Sequence, residues 1–265
     1  MRIEIRHEIE VEVGDGVPRA VQHLLLTPQS ASVQTVAEWT LEAPGMDDAA
    51  GFIDAFGNRA HLATQTRPEP VYRITASGVV ETHDLNGVVE RLERDPVPAL
   101  FRRLTPLTKP VGAIASKFRT APRDGKERIT LLHELMARVH EIYAAGGGAQ
   151  TQTQGGGTQE QEQRAADAAD HAHTFIGAAR TLGIPARYVT GYLSPENGAP
   201  AAFHAWAEAW DDRLGWIAFD CTLNTCPTDR HVRVATGLDA RSAAPIRSVP
   251  VTGAPRVRVE AEVAQ

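Results

Sequence analysis

The first ninety or so positions alternate apolar and charged side chains over short runs, and that alternation predicts strands. Ile3, Ile5, His7, Ile9 and Val11 stand at every second position with charged or polar residues between them, as in an antiparallel strand with one face buried. Similar runs cover 20–27, 33–41, 52–56, 59–66, 72–76 and 79–83, and Gly57-Asn58 is a hairpin signal between two of them. Repeated short strands separated by turn residues predict an antiparallel β-sandwich over residues 1–97. Nothing in it converges like a site, so it is expected to be a structural or substrate-orienting module. Pro96, Pro98, Pro106 and Pro110 then punctuate the chain, and 98–112 is the predicted linker.

Beyond the linker the period changes from two to 3.6. Helices are predicted over 111–118 and 125–144, the second with Ile129, Leu132, Leu135, Met136, Val139 and Ile142 on one face. Residues 144–163 follow, where glutamines alternate first with threonine and then with glutamate around three consecutive glycines. That spacing would permit a polar β-ribbon, but with no apolar face a loop is expected. From Ala168 the apolar positions Ala172, Phe175, Ile176, Ala179 and Leu182 return to helical spacing. Asp167 is a good N-cap and Gly183 a good stop, with Pro185 forbidding continuation, so the helix is predicted to begin near 168. Strands are predicted after it, at 203–210 and 215–222 among others. The fold class is α+β, with residues 113–265 as the second domain.

Composition narrows the function classes. With 265 residues, of which 42% are hydrophobic, there is material for a sizeable core. A net charge of −6 argues against nucleic acid or an anionic membrane surface as partner, since either wants a basic face. Cys221 and Cys226 are the two cysteines, too few for a disulfide framework and without C-x-x-C metal spacing. The first residues read as a strand rather than a signal peptide, and no apolar run approaches membrane-spanning length, so the expected location is the cytoplasm.

The candidate chemistry lies in three stretches. Period two on 203–210 puts His204, Trp206 and Glu208 on one face, and on 215–222 it puts Trp216, Ala218 and Asp220 together. A helix N-terminus, a strand histidine and a strand aspartate, in that chain order, can host nucleophilic acyl chemistry. The strings resemble the bacterial transglutaminase-like superfamily of papain-like cysteine amidases and proteases. Its motifs run G-x-C-x-D-x-A-H, L-G-I-P-A-R-Y-V-x-G-Y, H-A-W-x-E and G-W-x-x-F-D. The chain carries Asp170, Ala172 and His173 of the first, 182–192 of the second, His204 to Trp206 and Glu208 of the third, and Gly215, Trp216, Phe219 and Asp220 of the fourth. Its first hundred residues resemble the N-terminal β domain of one bacterial branch.

The resemblance implies a Cys-His-Asp mechanism of amide hydrolysis or acyl transfer with no cofactor and no metal. His204 would be the acid/base, Asp220 its orienter, and Asp170, Trp206 and Tyr192 substrate-binding residues. Peptide or protein amides would be the substrate or ligand, with a second copy of the chain a further partner. One departure outweighs these matches: the alignment puts the nucleophile at position 168, which is Ala168, and the motif glycine is replaced by Ala166. Removing a triad nucleophile costs about a million-fold in turnover. Cys221, directly after Asp220, points to the opposite strand face, and Cys226 lies in a turn, so neither is expected to substitute.

Three readings follow. In the first, alanine stands in for a native cysteine; in the second, the chain is a natural pseudoenzyme; in the third, it is a non-cysteine hydrolase in which Asp167 or Asp170 works with His204 through an activated water. His133 and His140 are expected to be surface or cap residues. His171 and His173, two apart on a helix, are not expected to share a ligand.

Overall fold

The computed structural model describes residues 1–92, 94–109, 112–118, 125–147, 158–194, 202–250 and 253–263. It is an α+β protein of three four-stranded antiparallel sheets and three α-helices among those residues. β1 (Arg2–Glu12), β6 (Val71–Thr82) and β3 (Gln34–Glu42) form three strands of one sheet, and β2 (Arg19–Thr27), β5 (Arg59–Thr66) and β4 (Ala50–Ile53) three of another. The β1 pattern alternates exposed and buried residues as the sequence requires, and Ile9, Val11, Leu24, Leu26, Ile74 and Ala76 meet between the two sheets. The expected runs at 72–76 and 79–83 are one continuous strand, β6, because Gly78 lets β3 approach where a Cβ would lie 2.1 Å from the Glu38 carbonyl oxygen.

The fourth strand of each sheet comes from the far end of the chain. β12 (Arg256–Val263) pairs with β1, and β11 (Ile246–Val249) pairs with β2. The segment expected to form the second domain, 113–265, therefore supplies two strands to the sheets of the first. Where Gly57-Asn58 signalled a two-residue hairpin, residues 54–58 form the connection, with Asp54 Oδ1 accepting the Phe56 and Asn58 amides.

The third sheet runs β10 (His231–Gly237), β7 (Ala186–Leu193), β8 (Ala202–Asp211), β9 (Gly215–Phe219). Its Ala205, Ala207, Ala209, Ile217 and Phe219 share a core with α1 (Gly112–Phe118), α2 (Gly125–Ile142) and α3 (Thr158–Thr181). Small alanines on β8 let the helices lie close, and fully buried Phe175 and Ile176 each contribute about 1.5–3 kcal/mol by leaving water. On the sheet's other side Val189, Trp206, Trp216 and Ala218 pack with Val89 and Phe101. The outer edge of β10 is covered by side-chain amides rather than a fifth strand. Gln34 exchanges hydrogen bonds with both the N–H and C=O of Arg233, and Asn58 does the same with Thr236. An edge that could template further pairing is thereby closed.

α3 ends as the sequence requires. Gly183 takes φ 79°, its N–H bonds the Arg180 carbonyl, and the Ile184 N–H bonds the Ala179 carbonyl, a Schellman stop. Its start is not where the capping signal put it. The helix begins at Thr158, so Gln159, Gln161 and Gln163 are helical rather than part of a loop or ribbon. Gln, Glu, Arg and Ala are all good helix formers, and the run from 159 to 166 extends the helix past Asp167. Asp167 is consequently no cap: its carboxylate takes the Gln163 amide at 2.9 Å and its carbonyl the His171 Nδ1 at 2.7 Å. The rest of the Gly/Gln stretch, 148–157, lies outside the described residues.

Candidate active site

β8 and β9 are antiparallel neighbours, and their alternation brings the expected histidine and aspartate into contact. His204 Nε2 lies 2.6 Å from Asp220 Oδ2, with both side chains buried. The carboxylate only accepts, so Nε2 carries the proton and Nδ1 is left as the ring's free nitrogen. Asp220 Oδ1 accepts the Thr222 and Leu223 amides, which holds the carboxylate plane.

A third group completes the arrangement. His231, at the start of β10, sits 3.2 Å from the same Oδ2 through its Nε2. Its Nδ1 accepts the Thr228 N–H at 3.1 Å, which leaves Nε2 as the donor and the ring neutral. Burial pushes the His231 pKa down against the pull of Asp220. Burial pushes the Asp220 pKa up, but the charge and hydrogen bond of His204, and then the hydrogen bond of His231, outweigh it and hold the group below the usual carboxylate range. A lone histidine after a turn carried no signal in the sequence that it would reach the site; Asp220 and His231 are eleven residues apart and meet only through sheet pairing.

The ligand-type atoms of His204, Asp220 and His231 all lie within 4.8 Å of one another, which invites a metal reading. The tautomers speak against it. A neutral histidine bound through Nε2 must carry its proton on Nδ1, and on His231 that atom is the acceptor of a backbone N–H. The set fits a doubly hydrogen-bonded carboxylate, and removing one donor tests it. His231→Phe is expected to cost about 1.5–3 kcal/mol in urea unfolding, the value of a hydrogen bond to a buried charge, and His231→Asn to recover part of it.

The other expected residues are placed as follows. Ala168 is fully buried in the helical core, whose sheet wall includes Ala205 and Cys221, the chain neighbours of His204 and Asp220. His171, one turn further along α3, feels the Asp220 charge, so this part of the helix lies within electrostatic reach of the dyad. Because α3 starts ten residues earlier than 168, the 168 amide is inside the helix and bonded to the carbonyl four residues before it. Asp170 is exposed and is neither a cap nor a partner of His204. Tyr192, expected to touch substrate, is fully buried: its hydroxyl meets His7 Nδ1 of β1 at 2.9 Å, because the β domain packs over β7 there. Trp206 is also buried, edge-on to the His231 ring at 5.5 Å, and its indole belongs to the packed core behind the dyad.

Burial raises the pKa of Cys221 well above the usual thiol value, with the Asp220 charge adding to it, and burial and Asp84 raise that of Cys226. Both thiols stay protonated at neutral pH. His133 and His140 are not bare surface groups: the first reaches the Ile129 carbonyl and Cys226 Sγ, the second the Cys221 carbonyl, so α2 is tied to the loop after β9. His171 stacks on Tyr143 and His173 on Tyr188, and the His173 Nε2 accepts the Ala240 N–H, so the two rings diverge.

A helical layer against an antiparallel sheet, with a buried histidine on β8 and a buried aspartate directly after β9, defines a papain-like α+β core of the cysteine amidase type. Residues 117–221 match the sequence model of the transglutaminase-like superfamily, and residues 3–81 that of the bacterial transglutaminase-like N-terminal region. The chain thus carries a transglutaminase-like core behind a bacterial transglutaminase-like N-terminal domain. Among curated relatives, uncharacterized protein ML0607 of Mycobacterium leprae is 27% identical over 245 residues, covering 84% of each chain. Uncharacterized protein Rv2569c of Mycobacterium tuberculosis is 23% identical, covering 99% of this chain and 91% of its own. A crystal structure of a candidate cysteine protease from Cytophaga hutchinsonii has the same fold, with TM-score 0.67 and 20% identity over 100% of this chain and 91% of its own. No helix among the described residues is long and apolar enough to cross a membrane.

Proposed function

We propose that this chain is a transglutaminase-like pseudoenzyme, which binds peptide or protein amide groups and does not turn them over. The observation that carries this reading is the course of α3. In the mechanism of the superfamily a thiolate attacks an amide carbonyl, and donors not used by the fold receive the oxyanion. At position 168 a methyl group replaces the sulfur, and an unbroken helix has already used the backbone amide. The two losses occur side by side, the second through the helix-forming run that precedes 168, and that supports divergence of the chain rather than replacement of a single native cysteine. His204 and Asp220 remain hydrogen-bonded and, in this reading, serve the cleft as binding and packing groups.

The alternative, a non-cysteine hydrolase, has less support. Neither Asp167 nor Asp170 hydrogen-bonds His204 among the described residues, and Asp167 is engaged by Gln163 and His171. The free cysteines and the net charge of −6 support a cytoplasmic protein with no nucleic-acid partner.

Ammonia release from a glutamine-containing peptide tests the proposal, using the native chain and Ala168→Cys with binding of the same peptide followed in parallel. Both proteins are expected to stay within about tenfold of the buffer rate, because a cysteine in mid-helix gains neither the helix-terminal field nor an oxyanion site. Turnover by Ala168→Cys would mean that only the sulfur is missing. Turnover by the native chain, lost in His204→Ala, would establish the hydrolase.

A further inference from the structure

We propose that the cavity between the β4–β5 hairpin and the segment leaving the β domain binds a small anion, a molecule bearing phosphate or carboxylate groups. The cavity measures about 570 Å³, within the range of small-molecule sites, and shares no lining residue with His204, Asp220 or His231. The end of β2, the hairpin and Leu92, Arg94 and Asp95 line it.

Its charge is what selects the ligand. Arg59 and Arg94 both line the cavity, and neither forms an ion pair with any described residue. The acid on the same wall is already spent: Asp95 pairs with buried Arg187 at 2.9 Å and accepts the Leu92 amide. Asp54, near the hairpin, is likewise occupied by Phe56 and Asn58. In a chain of net charge −6, two guanidinium groups with no ion-pair partner among the described residues make a local positive field on one concavity. Two other lining residues bury a polar atom with no hydrogen-bond partner, Thr27 Oγ1 and His61 Nδ1. Such atoms are costly unless something completes them, and a ligand that reshapes the wall can do so. Guanidinium forks match carboxylate and phosphate oxygens two by two, so a dianion can engage both arginines at once.

The experiment is titration calorimetry of the full chain at low ionic strength with two probes, inorganic pyrophosphate and citrate, which separate the phosphate from the carboxylate arm. At least one probe is expected to bind with Kd below about 1 mM. Arg59→Ala/Arg94→Ala is expected to weaken it by about tenfold or more, and Arg138→Ala, on the exposed face of α2, to leave it unchanged. Equal thermal unfolding of the variants confirms that they fold. Failure of both probes to bind, or binding that the double substitution does not weaken, overturns the proposal.

Discussion

Glu208→Gln is expected to lower the stability of the folded chain by about 3–5 kcal/mol, the cost of stripping one partner from a buried ion pair. Glu208 is the acid of the H-A-W-x-E string, and its task is structural. Arg187 is fully buried on β7, lies 4.0 Å above the Trp216 ring, and pairs with Glu208 on β8 and with Asp95 at the exit of the β domain. Glu208 also receives Arg233 from β10 at 2.9 Å. One carboxylate thus joins three neighbouring strands of the sheet that carries the dyad. Burial raises the Glu208 pKa, but the charges of Arg187 and Arg233 outweigh it and keep the group ionised. Neutralising it leaves Arg187 in the core with Asp95 as its remaining partner. At about 2–4 °C per kcal/mol for a chain of this size, Tm should fall by roughly 6–20 °C. Glu141→Gln, which removes an exposed pair with Arg138, should shift it by less than about 1 kcal/mol. Equal shifts for the two substitutions would mean that the buried network is not what holds the strands.

Acid is expected to weaken the fold well before the ordinary carboxylates titrate. Burial pushes His7 down to about 3 and His173 down to about 4, from 6.5 in an unfolded chain. Between pH 6.5 and 4 the unfolded chain binds a proton at each position and the folded chain does not. Stability from these two groups is fully present above pH 6.5 and falls by about 1.4 kcal/mol per pH unit for each, several kcal/mol in all. Asp220, whose pKa is depressed, adds a further loss only below the usual carboxylate range. His7 joins β1 to Tyr192 of β7, so its protonation strikes where the β domain meets the core. Urea unfolding at pH 7, 6, 5 and 4 measures the slope, and His7→Gln should flatten it by about one histidine's share. A stability that does not change from pH 7 to 5 would contradict the neutral, buried state of both rings.

Local patterns with a single competing outcome were legible in the chain. The alternation in β1 has one way to bury its apolar side, the periodic face of α2 likewise, and Gly183 with Pro185 leaves no alternative to a helix stop. The His204 to Asp220 pair was legible because two strands of period two, separated by a short turn, must pair in antiparallel register. Elements decided by competition or by distant pairing were not. Asp167 is a strong cap by itself, but an amide-bonded turn before it is stronger when eight helix formers precede it. β11 and β12 alternate like any strand, and nothing local says that their partners lie more than two hundred residues away. Tyr192 belongs to a matched motif, yet the motif does not record that the β domain buries it. His231 reaches Asp220 only after β10 has paired with β7.

The continuity of α3 through position 168 is the claim on which the inactive-site reading rests, and hydrogen exchange of the native chain measures it at the bonds in question. The amides of residues 166–169 are expected to be protected like those of the buried half of the same helix, each being bonded to the carbonyl four residues earlier. Exchange at those four positions at the rate of a free peptide, beside protected amides from 170 onward, would place the helix start at 168 and contradict it.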